Sequence, residues 1–306
     1  MQGGAFWPRR SDEPGPKGPG LRTDENRAPA YVPMRIALTD IQDPRVADHR
    51  GMTDADLIRA RGLFVAEGRL VVRRVLDDGR FRVRSVLVND AAARDLEHAL
   101  AALAPSVPVF VGEPAILQAI AGYDVHRGCL ALVERPQARA IDDVMAAART
   151  LVILEGVANP DNIGGVFRNA AAFGAGGVLL SPTCGDPLYR KAIRTSMGAV
   201  LRVPYATADA WPGALADVRA AGFTLVALTP REPSESIDAF AGRPPSSRVA
   251  VVIGAEGEGL SAAAEAAADY RVRIPISPDV DSLNLSVAAG IALHMIRRLG
   301  PSIPAS

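Results

Sequence analysis

The sequence predicts an α/β protein with two successive α/β regions, and the order of its apolar segments carries this prediction. From Leu151 onward, short aliphatic segments alternate with longer helical ones, a pattern typical of a parallel sheet with helices on both faces. Before it, strand-like and helix-like segments also alternate, which predicts a smaller α/β/α sandwich. A chain of 306 residues is long enough for both regions to have a core.

Residues 1–33 differ from the rest of the chain in composition. They are rich in Pro, Gly and charged residues and contain few aliphatic ones, so they cannot bury enough surface to offset the entropy of ordering. We predict a disordered tail. It contains no apolar core of a secretory signal, and no apolar run in the chain has the length of a membrane span, so no membrane partner is expected.

The first α/β region is predicted over residues 48–135. Thr53 is a suitable N-cap for its first helix, and residues 81–88 alternate apolar and polar side chains as a half-buried strand does. The predicted helices are Thr53–Ala60, Gly68–Leu76, Ala91–Leu103 and Pro114–Ala121, and the predicted strands are Leu63–Ala66, Phe81–Val88, Val107–Val111 and Cys129–Val133. A linker is predicted over residues 136–149, within and after the polar stretch Arg135–Asp143.

The second α/β region is predicted over residues 150–300. Its strands are short and aliphatic, as strands buried on both faces are. The predicted strands are Leu151–Leu154, Val178–Leu180, Thr224–Leu228, Val249–Ile253 and Val272–Ile274, and the predicted helices are Ile163–Phe173, Leu188–Thr195, Pro212–Ala221, Ser261–Ala268 and Leu283–Arg298. In the last helix, Val287, Ile291, Met295 and Leu299 recur near helical spacing, which predicts a stripe that faces the core.

Bulk composition narrows the classes of function. The 34 basic and 34 acidic residues give zero net charge, which removes the simplest argument for nucleic-acid binding. Cys129 and Cys184 are the only cysteines and form no C-x-x-C pair, which favours a reducing cytoplasm. The four histidines lack metal-ligand spacing to one another, so no metal is expected.

Arginines crowd one short stretch that includes Arg69, Arg73 and Arg74. Taken alone, this stretch is best interpreted as a solvated helix and strand face. Contact with phosphate becomes the better interpretation only if the second region acts on RNA.

The first polar block, NPDNIGGVFR over Asn159–Arg168, lies between a predicted strand and a predicted helix. Asp161 or Asn162 could serve only as the helix N-cap. Gly164 and Gly165 weaken the start of a helix, which indicates that another segment packs closely there.

The second block, VVIGAEGEGL, is an apolar strand that runs into a Gly-rich loop ending at Leu260. A Rossmann fingerprint would have the order G-x-G-x-x-G, whereas this loop has G-x-x-G-x-G with a carboxylate inside it. No Gly-Lys-Ser/Thr of a phosphate-binding loop occurs in the chain. The glycines predict a backbone that wraps closely around a ligand.

The third block, IPISPDVDSLNLS over Ile274–Ser286, leads into the final helix. Ser282 is a natural N-cap there, which is the simpler interpretation. Short neutral side chains such as Ser282 and Asn284 can also hydrogen-bond a ligand without competing as nucleophiles.

In this order and at these spacings, the three blocks resemble the signature of the SpoU/TrmH family of RNA ribose 2′-O-methyltransferases. FVAEGRLVVRRVL and HRGCLALVE in the first region resemble the ribosomal-protein-L30e-like domain that binds substrate in many of these enzymes. The resemblance implies a SPOUT fold with a deep trefoil knot, S-adenosylmethionine as cofactor, an RNA substrate, no metal, and a homodimer with sites at the subunit interface.

The resemblance also implies roles for individual residues. The residues it places around the reacting centre are Asn162, Arg168, Glu256, Ser282 and Asn284. Those it places against the cofactor are Gly254, Ile274 and Leu283, and Leu228 and Thr229 are expected beside the adenine because they end a strand of an open α/β sheet. Arg194 begins an Arg-x-Ser-x-Gly segment that lies beside the substrate in the family, although it could be an ordinary helix end.

The role of Arg168 needs a physical correction. Arg168 matches the family position often proposed to accept the proton of the ribose 2′-hydroxyl, but a guanidinium has no acceptor and a pKa far above neutrality. Our hypothesis is that Arg168 holds the target phosphate and polarises the 2′-oxygen while water takes the proton.

The sequence therefore predicts an S-adenosylmethionine-dependent RNA 2′-O-methyltransferase, with ribosomal RNA ahead of transfer RNA as the substrate. A catalytically silent RNA-binding protein of the same fold is the main alternative. A nucleotide-dependent oxidoreductase would need a fingerprint after its first strand, and none occurs there. Methylation of a base is a further alternative, which the SLNLS element disfavours.

Overall fold

A computed structural model describes residues 35–50, 53–243 and 247–297, and their strands form two sheets. The predicted tail over residues 1–33 lies outside the described residues. In the part of the chain that is described, no helix is long and apolar enough to cross a membrane.

The first sheet has five strands in the order β1-β4-β3-β5-β2, in which β1, β4 and β3 run parallel and β5 runs antiparallel to β3 and β2. The strands are β1 Arg35–Leu38, β2 Leu63–Glu67, β3 Val83–Val88, β4 Val109–Gly112 and β5 Cys129–Glu134. The helices are α1 Asp54–Arg61, α2 Arg69–Asp77, α3 Asp90–Asp95, α4 Glu97–Ala101 and α5 Pro114–Ala121. The α/β pattern predicted for this region is confirmed, although β1 was not predicted.

In the first region one predicted cap is confirmed, one predicted helix is divided into two, and one predicted strand is shorter. Thr53 caps α1 as predicted, because its side chain accepts a hydrogen bond from the amide of Asp56 at 3.2 Å. The single helix predicted over Ala91–Leu103 is wrong, because Leu96 leaves helical geometry (φ −100°, ψ 8°) between α3 and α4. The strand predicted from Phe81 begins at Val83, where the pairing register with β5 shifts.

The second sheet has seven strands, all paired in parallel, in the order β10-β12-β9-β11-β6-β7-β8. The strands are β6 Thr150–Glu155, β7 Gly177–Leu180, β8 Tyr205–Thr207, β9 Thr224–Leu228, β10 Glu235–Ser236, β11 Val249–Gly254 and β12 Tyr270–Arg273. The helices are α6 Ile141–Ala146, α7 Pro160–Phe173, α8 Arg190–Thr195, α9 Ala214–Ala220, α10 Ile237–Ala241, α11 Ala262–Ala267 and α12 Leu285–Arg297. The predicted parallel sheet is confirmed.

The stretch 136–149, predicted as a linker, contains α6. Val144 and Met145 of this helix are buried, and a Cβ added to Gly177 of β7 would come within 2.4 Å of Val144. This part of the chain is therefore packed onto the second sheet.

The predicted core stripe of the last helix is displaced from the observed one. Val287 is 50 % exposed, Ile291 and Met295 are half-buried, and Leu299 lies outside the described residues. The buried side chains of α12 are Leu285, Ala289, Ala292, Leu293 and Ile296. Both stripes have helical spacing, and α12 is apolar around most of its circumference, so periodicity could not choose between them.

One hydrophobic core joins the two sheets. It includes Phe64 and Val72 from the first region together with Val152 and Phe167 from the second. Four arginine side chains also cross between the regions, with Arg74 donating to the carbonyl of Met197, Arg80 to that of Leu201 at 3.5 Å, Arg135 to Asp186, and Arg190 to Asp54 at 2.5 Å. The first sheet is thus fixed against the second by both apolar and polar contacts.

Candidate functional site

A cavity of about 350 Å³ lies at the carboxyl ends of β9, β11 and β12. This is the edge at which open parallel sheets usually bind ligands. Its lining residues are Leu228, Thr229, Pro230, Ile253, Gly254, Ala255, Glu256, Gly257, Gly259, Arg273, Ile274, Ile276, Asp281, Ser282, Leu283, Asn284, Leu285 and Ala288. All five residues predicted to contact the cofactor line this cavity, as do Glu256, Ser282 and Asn284 from the predicted reacting centre.

The Gly-rich loop after β11 folds back on the end of its own strand. The amide of Gly259 donates to the carbonyl of Ala255 at 2.9 Å, and a Cβ added to Gly254 would lie only 2.1 Å from the carbonyl carbon of Gly259. Gly257 and Gly259 have φ values of 85° and 72°, which side chains rarely adopt. The glycines of this block are therefore required by close approach and by backbone conformation.

Three of the predicted catalytic residues form one hydrogen-bonded group beside the cavity. The side-chain amide of Asn284 donates to Oδ1 of Asn162 and to Oε1 of Glu256, both at 3.0 Å. The amide of Leu285 lies 3.4 Å from the same Glu256 oxygen. Asn162 is buried, whereas Glu256 and Asn284 are exposed at the cavity mouth.

The helix caps differ from those predicted. Asn159, rather than Asp161 or Asn162, caps α7 by accepting from the amide of Asp161 at 2.9 Å. Asn284, rather than Ser282, caps α12, because its side-chain oxygen accepts from the amides of Ser286 at 3.0 Å and Val287 at 3.3 Å. The interpretation of Asn162 and Ser282 as N-caps is therefore wrong. Asn162 instead accepts a hydrogen bond from Asn284, and Ser282 lines the cavity.

Gly164 and Gly165 allow two helices to pack against the start of α7. A Cβ on Gly164 would come within 2.6 Å of the carbonyl of Ala192 in α8, and one on Gly165 within 2.5 Å of Cβ of Ser286 in α12. The close packing predicted from these glycines is confirmed, and it brings Asn162 and Asn284 together.

Arg168 lies on α7 outside the cavity lining. Its side chain is exposed and borders a groove between α7 and α12 that also includes Thr195 and Ser286. No hydrogen bond or ion pair joins its guanidinium to another residue that the structure describes. Arg168 and the cavity thus lie on different sides of the start of α12, and its guanidinium is accessible to a ligand.

Asp161 is adjacent to the buried Asn162 and joins α7 to α8. Lys191 forms an ion pair with Asp161 at 2.6 Å, and Thr195 donates to it at 3.0 Å. The hydrogen bond from the Lys191 ammonium, aided by the Thr195 hydroxyl, holds the pKa of Asp161 below its usual range, although burial opposes this effect. The Asp161 carboxylate therefore stays ionised and bound to Lys191 and Thr195.

Of the predicted RNA-binding arginines, three already have partners in the protein. Arg69 forms an ion pair with Asp95 and donates to the carbonyl of Arg127 at 3.2 Å, Arg73 donates to the carbonyl of Asp95 at 2.6 Å, and Arg74 donates to that of Met197. Arg194 is exposed at the end of α8. The first three are positioned along α2, and each still has N–H donors that a phosphate could engage.

Two further side chains fix the Gly-rich loop and were not singled out in the sequence. Glu155, at the end of β6, accepts hydrogen bonds from Ser261, and Arg231, after β9, donates to carbonyls of the loop. An acidic residue that ends the aliphatic run LVILE was the available signal for Glu155. No sequence signal distinguishes Arg231 from the many other arginines.

Among the residues described, no group of three or more His, Cys, Asp or Glu side chains could hold a metal ion. The cavity is lined by backbone groups, amides, hydroxyls and the charged side chains of Glu256, Arg273 and Asp281. Its apolar walls come from Leu228, Ile253, Ile274 and Leu283. Such a lining fits an organic ligand with an aromatic ring.

Comparison with known proteins agrees with this geometry. The SpoU rRNA Methylase family matches residues 149–294. An uncharacterized tRNA/rRNA methyltransferase of Mycobacterium bovis is 38% identical over 268 residues, which are 86% of this chain and 92% of the relative. An rRNA methyltransferase from Sinorhizobium meliloti has a similar structure, with a TM-score of 0.75 and 27% identity over 88% of this chain and 99% of that chain.

Two further solved structures are similar over nearly the same length. The AdoMet-bound form of the Sinorhizobium meliloti rRNA methyltransferase gives a TM-score of 0.73 and 26% identity, covering 88% of this chain and 99% of that chain. An RNA 2′-O ribose methyltransferase gives a TM-score of 0.72 and 27% identity, covering 87% and 99%. The fold, the cavity and these relatives define an RNA methyltransferase, and the chain belongs to the SpoU rRNA Methylase family.

Proposed function

We propose that this protein transfers a methyl group from S-adenosylmethionine to a ribose 2′-hydroxyl of RNA, with ribosomal RNA ahead of transfer RNA as the substrate. The hydrogen-bonded group Asn162–Asn284–Glu256 at the mouth of the cavity carries the proposal, because it joins residues of all three family blocks at one place. The similar RNA 2′-O ribose methyltransferase supports the ribose, and the rRNA methyltransferase from Sinorhizobium meliloti supports the RNA class.

The cavity fits S-adenosylmethionine in size and chemistry. Apolar side chains of Leu228, Ile274 and Leu283 provide walls for an adenine ring, and Gly254 contributes backbone to the same lining. Thr229 is buried and its hydroxyl donates to Glu265 at 2.8 Å, so it would contact the adenine through other atoms. An AdoMet-bound relative supports the same cofactor.

When bound, the cofactor supplies an electrophilic methyl group on a sulfonium, so the protein mainly has to align the two reactants. Glu256 and Asn284 are joined by a hydrogen bond at the mouth of the cavity, where they would help to align the reactants. Ser282 lines the same cavity and can hydrogen-bond a polar group of the ligand without becoming a nucleophile. Arg168 has only donors and cannot accept a proton at neutral pH. In this proposal it holds a phosphate of the target and polarises the 2′-oxygen, and water takes the proton.

RNA would extend from the second region to the first. We propose that residues 48–135 act as the L30e-like substrate-binding domain and residues 150–300 as the methyltransferase domain. The cationic groups are Arg69, Arg73 and Arg74 on α2 and Arg194 on α8. The hydrogen bond from Arg74 to the carbonyl of Met197 joins α2 to the segment that follows α8. Phosphate contacts of this kind position RNA without reading its sequence.

The homodimer implied by the resemblance also belongs to this proposal. The groove between α7 and α12 is lined by Phe173, Val287, Ile291 and Met295, and Val287 is 50 % exposed. A second copy that covers this apolar surface would also bring its own residues close to Arg168. The trefoil threading and the cytoplasmic location remain predictions.

The experiment that tests the proposal is transfer of labelled methyl from S-adenosylmethionine to unmodified ribosomal and transfer RNA. Product RNA is digested with alkali and analysed by mass spectrometry. An alkali-resistant dinucleotide is expected, because a 2′-O-methyl group blocks cleavage of the next phosphodiester. A labelled base in an alkali-sensitive product would contradict ribose methylation, and cofactor binding without transfer to any RNA or ribosomal particle would favour the silent RNA-binding alternative.

A further inference from the structure

The loop Ala255–Leu260, called the cavity loop below, forms one wall of the cavity. Within this loop the hydrogen bond from the Gly259 amide to the Ala255 carbonyl closes a short turn. Three glycines lie in or directly before this loop, and glycine loses more conformational entropy on ordering than other residues do. A loop of this composition needs contacts from outside to keep one shape.

Arg231 contacts the cavity loop from the segment that follows β9. Its Nη1 donates to the carbonyl of Leu260 at 2.8 Å and its Nη2 to the carbonyl of Glu258 at 2.5 Å. A Cβ added to Gly259, between these two residues, would lie 3.5 Å from Nη2. The planar guanidinium therefore bridges two carbonyls of one turn, which a single ammonium group cannot do in the same geometry.

A buried carboxylate orients the Arg231 side chain. Glu265 of α11 is 9 % exposed and lies 3.5 Å from Nη1 of Arg231 through Oε1. The Thr229 hydroxyl donates to the same Oε1 at 2.8 Å, and the other oxygen, Oε2, lies 2.8 Å from Arg271. The same carboxylate thus fixes Arg231 and the cavity-lining Thr229.

Glu155 fixes the end of the cavity loop from β6, the strand on the other side of β11 from β9. It accepts from the amide of Ser261 at 2.8 Å and from its hydroxyl at 2.7 Å. The indole N–H of Trp211 donates to it at 2.5 Å. Glu155 also pairs with Gly254 in the register of β6 and β11, so the residue before the loop and the residue after it are both attached at Glu155.

We propose that Arg231 and Glu155 are positioning residues that hold the cavity loop in its cofactor-binding shape before the cofactor arrives. Neither side chain lines the cavity, and both act on the loop from outside it. A preformed loop avoids an ordering cost at the time of binding, which raises affinity without a new contact to the ligand. This inference rests on the proposed function in taking S-adenosylmethionine as the occupant of the cavity.

The main test uses the full chain with Arg231→Met, which keeps the apolar stem but removes both donors, and Arg231→Lys, which keeps the charge. Arg219→Met is the matched control, because Arg219 pairs with Asp269 on the surface and makes no hydrogen bond to the described residues of the cavity loop. We expect Arg231→Met to raise the Kd and KM for S-adenosylmethionine about tenfold, with kcat at saturating cofactor within about twofold of wild type. Arg231→Lys should recover only part of the affinity, and Arg219→Met should match wild type.

Hydrogen exchange supplies a readout that does not need the cofactor. The Gly259 amide should exchange faster in Arg231→Met than in wild type, because its hydrogen bond to Ala255 then opens more often. Unchanged exchange together with unchanged Kd would overturn the inference. If wild type binds no S-adenosylmethionine, the proposed function fails, and the exchange rates still decide whether Arg231 holds the loop.

Glu155 is tested with Trp211→Phe and Glu155→Gln. Trp211→Phe removes one donor to Glu155 and leaves both hydrogen bonds to Ser261, so it should fold and raise the Kd by about threefold or less. Glu155→Gln places an N–H₂ group against donors and should raise the Kd more than Trp211→Phe does. Wild-type affinity and wild-type Gly259 exchange in a folded Glu155→Gln would remove Glu155 from the proposal.

Discussion

The side-chain amide of Asn284 donates to the side-chain oxygen Oδ1 of Asn162 at 3.0 Å, although the two residues are 122 positions apart in the chain. One residue lies in the first turn of α7 and the other caps α12. The second N–H of Asn284 is 3.0 Å from Glu256, so a single side chain connects the three polar blocks. The donor groups of Asn284 therefore hold the three blocks together at the mouth of the cavity.

Replacing Asn284 by Asp separates this donor role from helix capping. Asp caps helices as well as Asn does, so α12 should form normally. A carboxylate at this position cannot donate and would lie next to Glu256, which is unfavourable for two like charges. We expect methyl transfer to fall about 100-fold while the melting temperature changes little.

Asn89→Asp is the control for this substitution. Asn89 caps α3 in the first region by accepting from the amide of Ala92 at 2.8 Å and has no contact with the cavity. Its activity should stay near that of wild type. Equal activity in Asn284→Asp and Asn89→Asp would show that donation by Asn284 is not needed.

Gly165→Ala tests the close approach of α7 and α12. The added Cβ would lie 2.5 Å from Cβ of Ser286. A Cβ atom is fixed to its backbone, so this clash can be relieved only if one of the two helices moves. We expect a loss of about 1–3 kcal/mol in the free energy of unfolding, measured with urea, and weaker activity because Asn284 moves with α12.

Gly213→Ala is the matched control for Gly165→Ala. Gly213 has ordinary helical dihedral angles (φ −51°, ψ −37°), and a Cβ there meets nothing within 4 Å. It should be neutral or stabilise by up to about 1 kcal/mol, through lower entropy of the unfolded chain. Similar losses in both variants would mean that helix contact at Gly165 is not the cause.

Arg190 connects the two regions and should contribute to stability. It donates to Asp54 of α1 at 2.5 Å, and its guanidinium carbon lies 4.4 Å from the ring centroid of Tyr123. Both ion-pair partners are mostly buried, so Arg190→Met should lower the free energy of unfolding by about 1–3 kcal/mol. The more exposed pair Arg61–Asp48 is the control, and Arg61→Met should cost about 1 kcal/mol or less.

Much of this architecture could be predicted from local sequence. The parallel strands β6, β9 and β11 are continuous aliphatic runs, and each was predicted to within one residue at either end. The short edge strands β8 and β10 and the helix α6 were not predicted, because two or three residues or a single short helix carry too little periodicity to detect.

The sequence predicted which residues line the cavity, but not the helix caps and hydrogen bonds that hold them in place. Motif spacing identified the lining of the cavity, yet the caps at Asn159 and Asn284 depend on dihedral angles that several neighbouring Asn, Asp and Ser residues could adopt. The contacts of Arg231 and Glu155 depend on the order β9-β11-β6 in the sheet, which no local pattern reveals.

Arg168→Lys tests whether the reaction needs the planar fork of a guanidinium. Lysine keeps the positive charge but presents its donors from one point, so it holds a phosphate and an adjacent oxygen less well. We expect kcat to fall about 100-fold, with the Kd for S-adenosylmethionine unchanged because Arg168 lies outside the cavity. Arg194→Lys should lose far less, since one phosphate contact requires only charge, and near-full activity of Arg168→Lys would contradict the proposed role.

The buried imidazole of His49 should make stability depend on pH. Its Nε2 lies 2.8 Å from the Ser85 hydroxyl, and its Nδ1 has no hydrogen-bond partner among the residues described. Burial lowers the pKa of His49 from 6.5 to about 4, because the charged form is poorly solvated there. Between these two pH values the unfolded chain therefore binds more protons at His49 than the folded chain does. The contribution of His49 to stability is fully present above about pH 6.5, and the free energy of unfolding falls by up to about 1.4 kcal/mol per pH unit below it.

Urea unfolding at pH 7 and pH 5 measures this effect of His49. Other groups also titrate below pH 5, so the informative quantity is the difference between wild type and His49→Gln, which cannot become charged. Wild type should lose more stability over this interval than His49→Gln, whereas His98→Gln, at an exposed position, should behave as wild type does. Parallel losses in wild type and His49→Gln would show that the imidazole does not cause the acid sensitivity, and that its protonated form is accommodated beside Ser85.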